Sequence, residues 1–187
     1  YEGMTGMSEN VFINTKNRSY TVTAELQIPN GGAKGVILAQ AGRFGGWSLY
    51  LKDGQPTYTY NFLGLKRFTI ASKQSVPAGQ ATIRYEFAYD GGGFGKGGTG
   101  ALFVNDKKVG EGRIEHTQAM IFSVEEGASV GEDGETPVAE DYGIPAPYKF
   151  TGKINKVTID LKEIKSEEKK TADKAQKEAS MMKALSD

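Results

Sequence analysis

The residues able to do chemistry in this chain are few and scattered. His116 is the only histidine and cysteine is absent from the 187 residues, which excludes thiolate nucleophiles, disulfides, thiolate metal sites and paired-histidine centres, and leaves the redox compartment open. His116 lies in Arg113-Ile114-Glu115-His116-Thr117 with no nucleophile motif before it, so it reads as a structural or surface residue at a strand edge. Carboxylates gather at Glu125-Glu126, at Glu132-Asp133-Gly134-Glu135 and at Glu140-Asp141. Oxygen ligands at short spacing suit calcium, yet the D-x-D-x-D-G order of a calcium loop is missing, and a solvated acidic loop is the preferred reading. The glycine-rich run from Gly91 to Gly98 resembles a phosphate cradle only superficially. It leads into a strand instead of a helix N-terminus, and Lys96 is followed by Gly97-Gly98 where Ser or Thr would be needed.

The remaining candidates are aromatic. Trp47, Tyr50, Tyr58, Tyr60 and Phe62 fall close together beside Gln40, Arg43 and Asn61. Aromatic planes flanked by amide and guanidinium donors suit a sugar ring or an aryl ligand. Alternation, however, sends Trp47, Leu49 and Leu51 to one side and Tyr58, Tyr60 and Phe62 to one side, which favours a core role over a ligand face.

These residues are carried by Gly35–Phe62, which reads as three successive strands. Val36 to Ala41 is a short apolar run, the pattern of a strand buried on both faces. Arg43-Phe44-Gly45-Gly46 turns it into the Trp47–Lys52 strand, and Asp53-Gly54 supplies the positive dihedrals of a tight hairpin. The rest of the chain repeats this style. Tyr20 to Ile28 alternates with Val22, Ala24, Leu26 and Ile28 inward; Phe68 to Ser72, Ala81 to Tyr89 and Ala101 to Val104 follow; Asn105-Asp106 makes a hairpin into Lys107–Glu111. Met120 to Val124 and Ala128 to Val130 are weaker strands, and Thr151 to Leu161 closes the set through Ile154, Val157, Ile159 and Leu161. Strands at about 8–12-residue spacing with no helix among them predict an all-β fold. Its architecture is a two-sheet antiparallel jelly-roll-type sandwich over residues 1–161.

Composition agrees. Glycine, at 25 residues, sits at strand ends in no repeat, and Lys+Arg 23 balances Asp+Glu 23, which argues against nucleic acid or an anionic membrane as the main partner. No apolar run reaches membrane-spanning length and no signal peptide opens the chain; a start at Tyr1 suggests an excised piece of something longer. Residues 162–187 differ abruptly. From Glu163 onward there is no glycine, proline or aromatic residue, and Ala172, Ala175, Ala179 and Met182 fall at helical spacing, with Met181 and Leu185 widening the stripe. A charged helical tail is expected, solvated, or docked on a missing surface or on a second copy as an oligomer contact.

Several segments carry a resemblance. Tyr1-Glu2-Gly3-Met4, Lys16-Asn17-Arg18-Ser19, Ala39-Gln40-Ala41-Gly42-Arg43-Phe44-Gly45-Gly46-Trp47, Phe87-Ala88-Tyr89-Asp90-Gly91-Gly92-Gly93 and Val130-Gly131-Glu132-Asp133 resemble the C-terminal region of large bacterial arylsulfatases. So do Thr136-Pro137-Val138, Asp141-Tyr142 and Phe150-Thr151-Gly152. The ending and the hairpin also resemble concanavalin and laminin-G sandwiches. The resemblance implies a non-catalytic accessory domain whose partner is an N-terminal sulfatase catalytic domain of the same polypeptide, periplasmic or secreted. That partner would carry formylglycine and calcium, and this chain no cofactor or metal. The family's C/S-x-P-x-R motif has no counterpart here, since Ser75-Val76-Pro77-Ala78-Gly79 puts glycine in place of the arginine. Under this reading Arg43, Phe44 and Trp47, or Asp141 to Tyr148 with Tyr142 and Tyr148, wall the substrate cleft. The alternative is a carbohydrate- or sulfated-glycan-binding module using Arg43, Trp47, Tyr50, Tyr58, Tyr60 and Asn61.

Overall fold

The computed structural model describes residues 1–162 apart from 124 and 135. The expected tail helix and its oligomer contact lie outside the described residues. Ten strands form two five-stranded sheets in which every named pairing is antiparallel. In chain order they are β1 Tyr20–Ile28, β2 Gly35–Gly42, β3 Gly45–Lys52, β4 Gln55–Phe62, β5 Lys66–Ala71, β6 Gly79–Tyr89, β7 Gly98–Val104, β8 Lys107–Ile114, β9 Ala128–Val130 and β10 Lys153–Leu161. One sheet runs β10-β1-β6-β7-β8 and the other β5-β4-β3-β2-β9.

Alternation dictates which side chains meet between the layers. Val22, Ala24, Leu26 and Ile28 of β1 and Ile83, Tyr85 and Phe87 of β6 face Trp47, Leu49 and Leu51 of β3 and Tyr58 and Tyr60 of β4, and all join one buried cluster. Aromatic rings dominate it: Trp47 stacks on Tyr58 at 5.9 Å between centroids, and Tyr58 on Tyr85 at 3.6 Å. Burying a side chain of this size contributes roughly 1.5–3 kcal/mol. The two hairpin turns use positive dihedrals at Asp53-Gly54 and Asn105-Asp106, as their sequences require. Gly46 is fixed by two constraints at once, a φ of 139° and a Gln40 carbonyl where a Cβ would have to go.

Three expectations change. Residues 120–123 form no strand; only Phe122 turns inward there, held because Glu9 accepts its backbone N–H. The closing strand begins at Lys153 instead of Thr151 and leaves Leu161 37% exposed, while Ile154, Val157 and Ile159 pack on the core; its pairing with β1 shifts between Glu25 and Leu26. That bulge at Asn155 lets Ile154 and Val157, three positions apart, both pack on the core. The acidic stretch is not simply solvated: Asp133 is 3% exposed and anchors the structure described next.

Candidate functional site

The outer face of the second sheet is half covered. The described residues of segment 131–150 cross β2 and β3, which is why β2 is buried on both faces; β4 is buried on both faces too, and the outward positions of β5 stay open. Its attachment is polar and aromatic. The Asp133 carboxylate accepts the Tyr142 hydroxyl and the Val138 N–H, while the Tyr142 oxygen accepts the Ala139 N–H at 3.2 Å and lies 3.1 Å from Ser48 Oγ. The Tyr142 ring meets Tyr50 edge-on at 4.7 Å and packs against Tyr148 at 4.8 Å. Burial first, and then the facing Asp133 charge, hold the Tyr142 phenol far above its ordinary pKa.

The edge of this segment, Ala139–Asp141, is clasped to the sheet by two cations. Arg67 Nε donates to Val138 O at 2.9 Å and Nη1 to Glu140 Oε1 at 3.0 Å, and Lys52 Nζ donates to Asp141 Oδ2 at 2.6 Å. The Lys52 ammonium, helped by the Gly143 N–H, holds the Asp141 carboxyl below the usual range, and the same contact raises Lys52.

The step between covered and open halves is a groove of about 410 Å³. Outward positions of β4 and β5 line it, set by the same alternation that sends Tyr58, Tyr60, Phe68 and Ile70 into the core. Across the pairing, Tyr50 opposes Thr57 and Thr59 opposes Thr69. The hydroxyls connect: Tyr50 Oη to Thr59 Oγ1 is 3.0 Å and Thr59 Oγ1 to Thr69 Oγ1 is 3.1 Å. Arg67 completes the wall, and its Nη2 makes no hydrogen bond among the described residues. The groove thus presents an exposed Thr69 hydroxyl, held by a buried hydroxyl chain, beside a guanidinium with N–H groups to spare. Among the described residues no group of three or more His, Asp or Glu side chains is placed to hold a metal.

The residues singled out from sequence separate. Trp47, Tyr58, Tyr60 and Asn61 are buried, the first three inside the sandwich. The rings of Trp47, Tyr58 and Tyr60 therefore belong to the core and not to a ligand face. Asn61 instead caps a turn, donating to the Gly42 and Arg43 carbonyls at 2.8 Å and accepting from the Gly64 N–H. Tyr142 is buried under its segment, Tyr148 half-buried beside it, and Tyr50 alone of the aromatic set borders the groove. Arg43 and Phe44 are exposed at the tip of the β2–β3 turn. His116 follows β8, its ring 5.8 Å from that of Phe62. Thr57, Thr59, Thr69, Lys52 and Arg67 were not expected; the signal that finds them is threonine or a cation at alternate positions between the aromatic residues of β4 and β5.

Sequence comparison adds nothing to this geometry: no protein-family model matches the chain, and no curated protein matches it. Solved structures do. The CBM40 module of the Ruminococcus gnavus IT-sialidase, in its complex with α2,3-sialyllactose, has a TM-score of 0.53 at 12% identity over 83% of this chain and 82% of its own.

The fold is a laminin-G and concanavalin-like sandwich.

Domains LG4-5 of the mouse laminin α1 chain agree, at a TM-score of 0.52 and 15% identity over 82% of this chain and 39% of that one. So does the leech intramolecular trans-sialidase complexed with 2,7-anhydro-Neu5Ac, at 0.54 and 12% over 82% and 23%. At such identities the likeness concerns the fold alone, and none of these comparisons links the chain to sulfatases.

Proposed function

We propose that the chain is a glycan-binding module that takes a sugar chain into the groove on the open half of the second sheet. The observation that carries this is the hydroxyl row Tyr50–Thr59–Thr69, buried at Tyr50 and Thr59 and exposed at Thr69, where it stands beside a guanidinium with unused donors. Sugars are recognised by fixed donors and acceptors in a shaped surface, and a sheet face held by its own ladder is rigid enough to supply them. The CBM40 complex with sialyllactose supports the reading by showing a glycan bound by another sandwich of this fold. Calorimetric titration with a panel of oligosaccharides tests it. Wild-type protein binds at least one, Arg67→Ala and Thr69→Val weaken that binding about tenfold or more, and an absence of heat across the panel refutes the reading.

A second reading, an accessory domain packed on a sulfatase catalytic domain upstream, is favoured by a separate surface. Leu65 is 81% exposed, Met120 74% and Phe44 69%. They share one end of the sandwich, since Gly64 abuts Arg43 and Phe44, and Gln118 seats against Gly45. Exposed apolar side chains gathered in this way mark contact surfaces. An upstream C/S-x-P-x-R motif in the full gene product supports this reading, with formylglycine and calcium then belonging to the parent; a full product without one refutes it. The groove and this apolar end involve different residues, so the two readings are tested separately.

A further inference from the structure

We infer that the groove selects uncharged glycans and disfavours sulfated, sialylated and uronic acid chains; the inference rests on the glycan-binding reading above. The charges lining the groove are Lys52 and Arg67 against Asp53, Glu140 and Asp141, so the wall carries one more anion than cation. Both cations are already engaged. Lys52 holds Asp141, and Arg67 spends Nε and Nη1 on Val138 O and Glu140. A sulfate or carboxylate is bound best by a whole guanidinium fork or a free ammonium. Three N–H groups remain, two on Nη2 and one on Nη1, enough to donate to sugar hydroxyls; the positive charge behind them is already compensated by Glu140, so an incoming anion meets a neutralised pair inside a wall of net negative charge. An acidic ligand could reach an uncompensated cation only by displacing Glu140 or Asp141, and either freed carboxylate would stay beside the incoming charge. Unlike charges pair across the rim, so a neutral ligand leaves them undisturbed.

The size of the discrimination follows from Coulomb's law. A single uncompensated charge a few ångströms from an anionic ligand, partly screened by solvent, changes affinity by about tenfold. Raising salt shrinks the effect, because the Debye length falls from about 10 Å at 0.1 M to about 3 Å at 1 M.

Neutral oligosaccharides, each with its sulfated and its carboxylated counterpart on the same backbone, are titrated calorimetrically against the full chain at 0.05 M and 0.5 M salt. Glu140→Gln/Asp141→Asn is run in parallel. The expected result is that the neutral member binds about tenfold more tightly at low salt, and that the ratio narrows both at high salt and in the double variant. An acidic member that binds as tightly as its neutral counterpart, with binding lost in Arg67→Ala, overturns the charge selection and leaves glycan binding standing. If no member of any set binds at millimolar concentration, the glycan-binding reading fails and the selection fails with it.

Discussion

Tyr58 of β4 and Tyr85 of β6 stack face to face across the sandwich, with centroids 3.6 Å apart and planes 7° from parallel. Each comes from a different sheet, and the Tyr20 and Tyr58 hydroxyls meet 2.6 Å apart beside them. Removing either ring opens the space between the layers where they are most tightly joined. Tyr85→Ala is expected to cost about 3–5 kcal/mol, the range for truncating a fully buried aromatic side chain. Equilibrium denaturant unfolding followed by circular dichroism measures it.

The same phenols set the response to alkali. Burial raises Tyr20, Tyr58, Tyr60, Tyr85 and Tyr142 above their ordinary pKa, whereas in the unfolded chain they titrate near 10. Above that pH the unfolded chain has lost protons that the folded chain keeps. Stability is therefore fully present below about pH 10 and falls above it, by up to about 1.4 kcal/mol per pH unit for each such tyrosine. Denaturant midpoints are expected to be level from pH 8 to 9.5 and to drop steeply by pH 11; a flat profile to pH 11 would count against the buried set.

Trp47 is fully buried on the inner face of β3, away from the outward groove residues of β4 and β5. Its emission is expected well to the blue of free tryptophan, resistant to iodide quenching and unchanged by any glycan that binds the groove. A large ligand-induced change in its fluorescence would place the site elsewhere.

The sandwich itself was legible in the sequence because period-two alternation is written into β1, β3, β4 and β6, and the Asp53-Gly54 and Asn105-Asp106 turns fix the pairing of β3 with β4 and of β7 with β8. The site was less legible. Trp47, Tyr58 and Tyr60 attract a functional reading by residue type, yet alternation already sends them inward. Thr57, Thr59 and Thr69 are unremarkable one by one, and become a row only when the register sets Thr59 opposite Thr69. What no local pattern announces is segment 131–150 folding over β2 and β3, because its anchor is a single buried carboxylate, Asp133, meeting Tyr142 across nine positions.

That anchor makes its own prediction. Asp133→Ala leaves the Val138 N–H without its acceptor in a buried place, at about 1–3 kcal/mol for a group so stranded, and leaves the Tyr142 hydroxyl only Ser48 Oγ to donate to. The groove wall at Ala139–Asp141 loosens with it. Thermal melts should show a lower midpoint, and glycan affinity should fall although Asp133 touches no ligand. A variant that melts earlier but binds as wild type would mean the wall does not shape the site.

The account depends most on where a ligand sits. Amide and methyl chemical-shift mapping of labelled protein, titrated with the tightest-binding neutral oligosaccharide, addresses that directly. The largest shifts are expected at Thr57, Thr59, Arg67, Thr69 and Asp141, with Arg43 and Phe44 unmoved. Shifts confined to the apolar end, or none along β4 and β5, would contradict it.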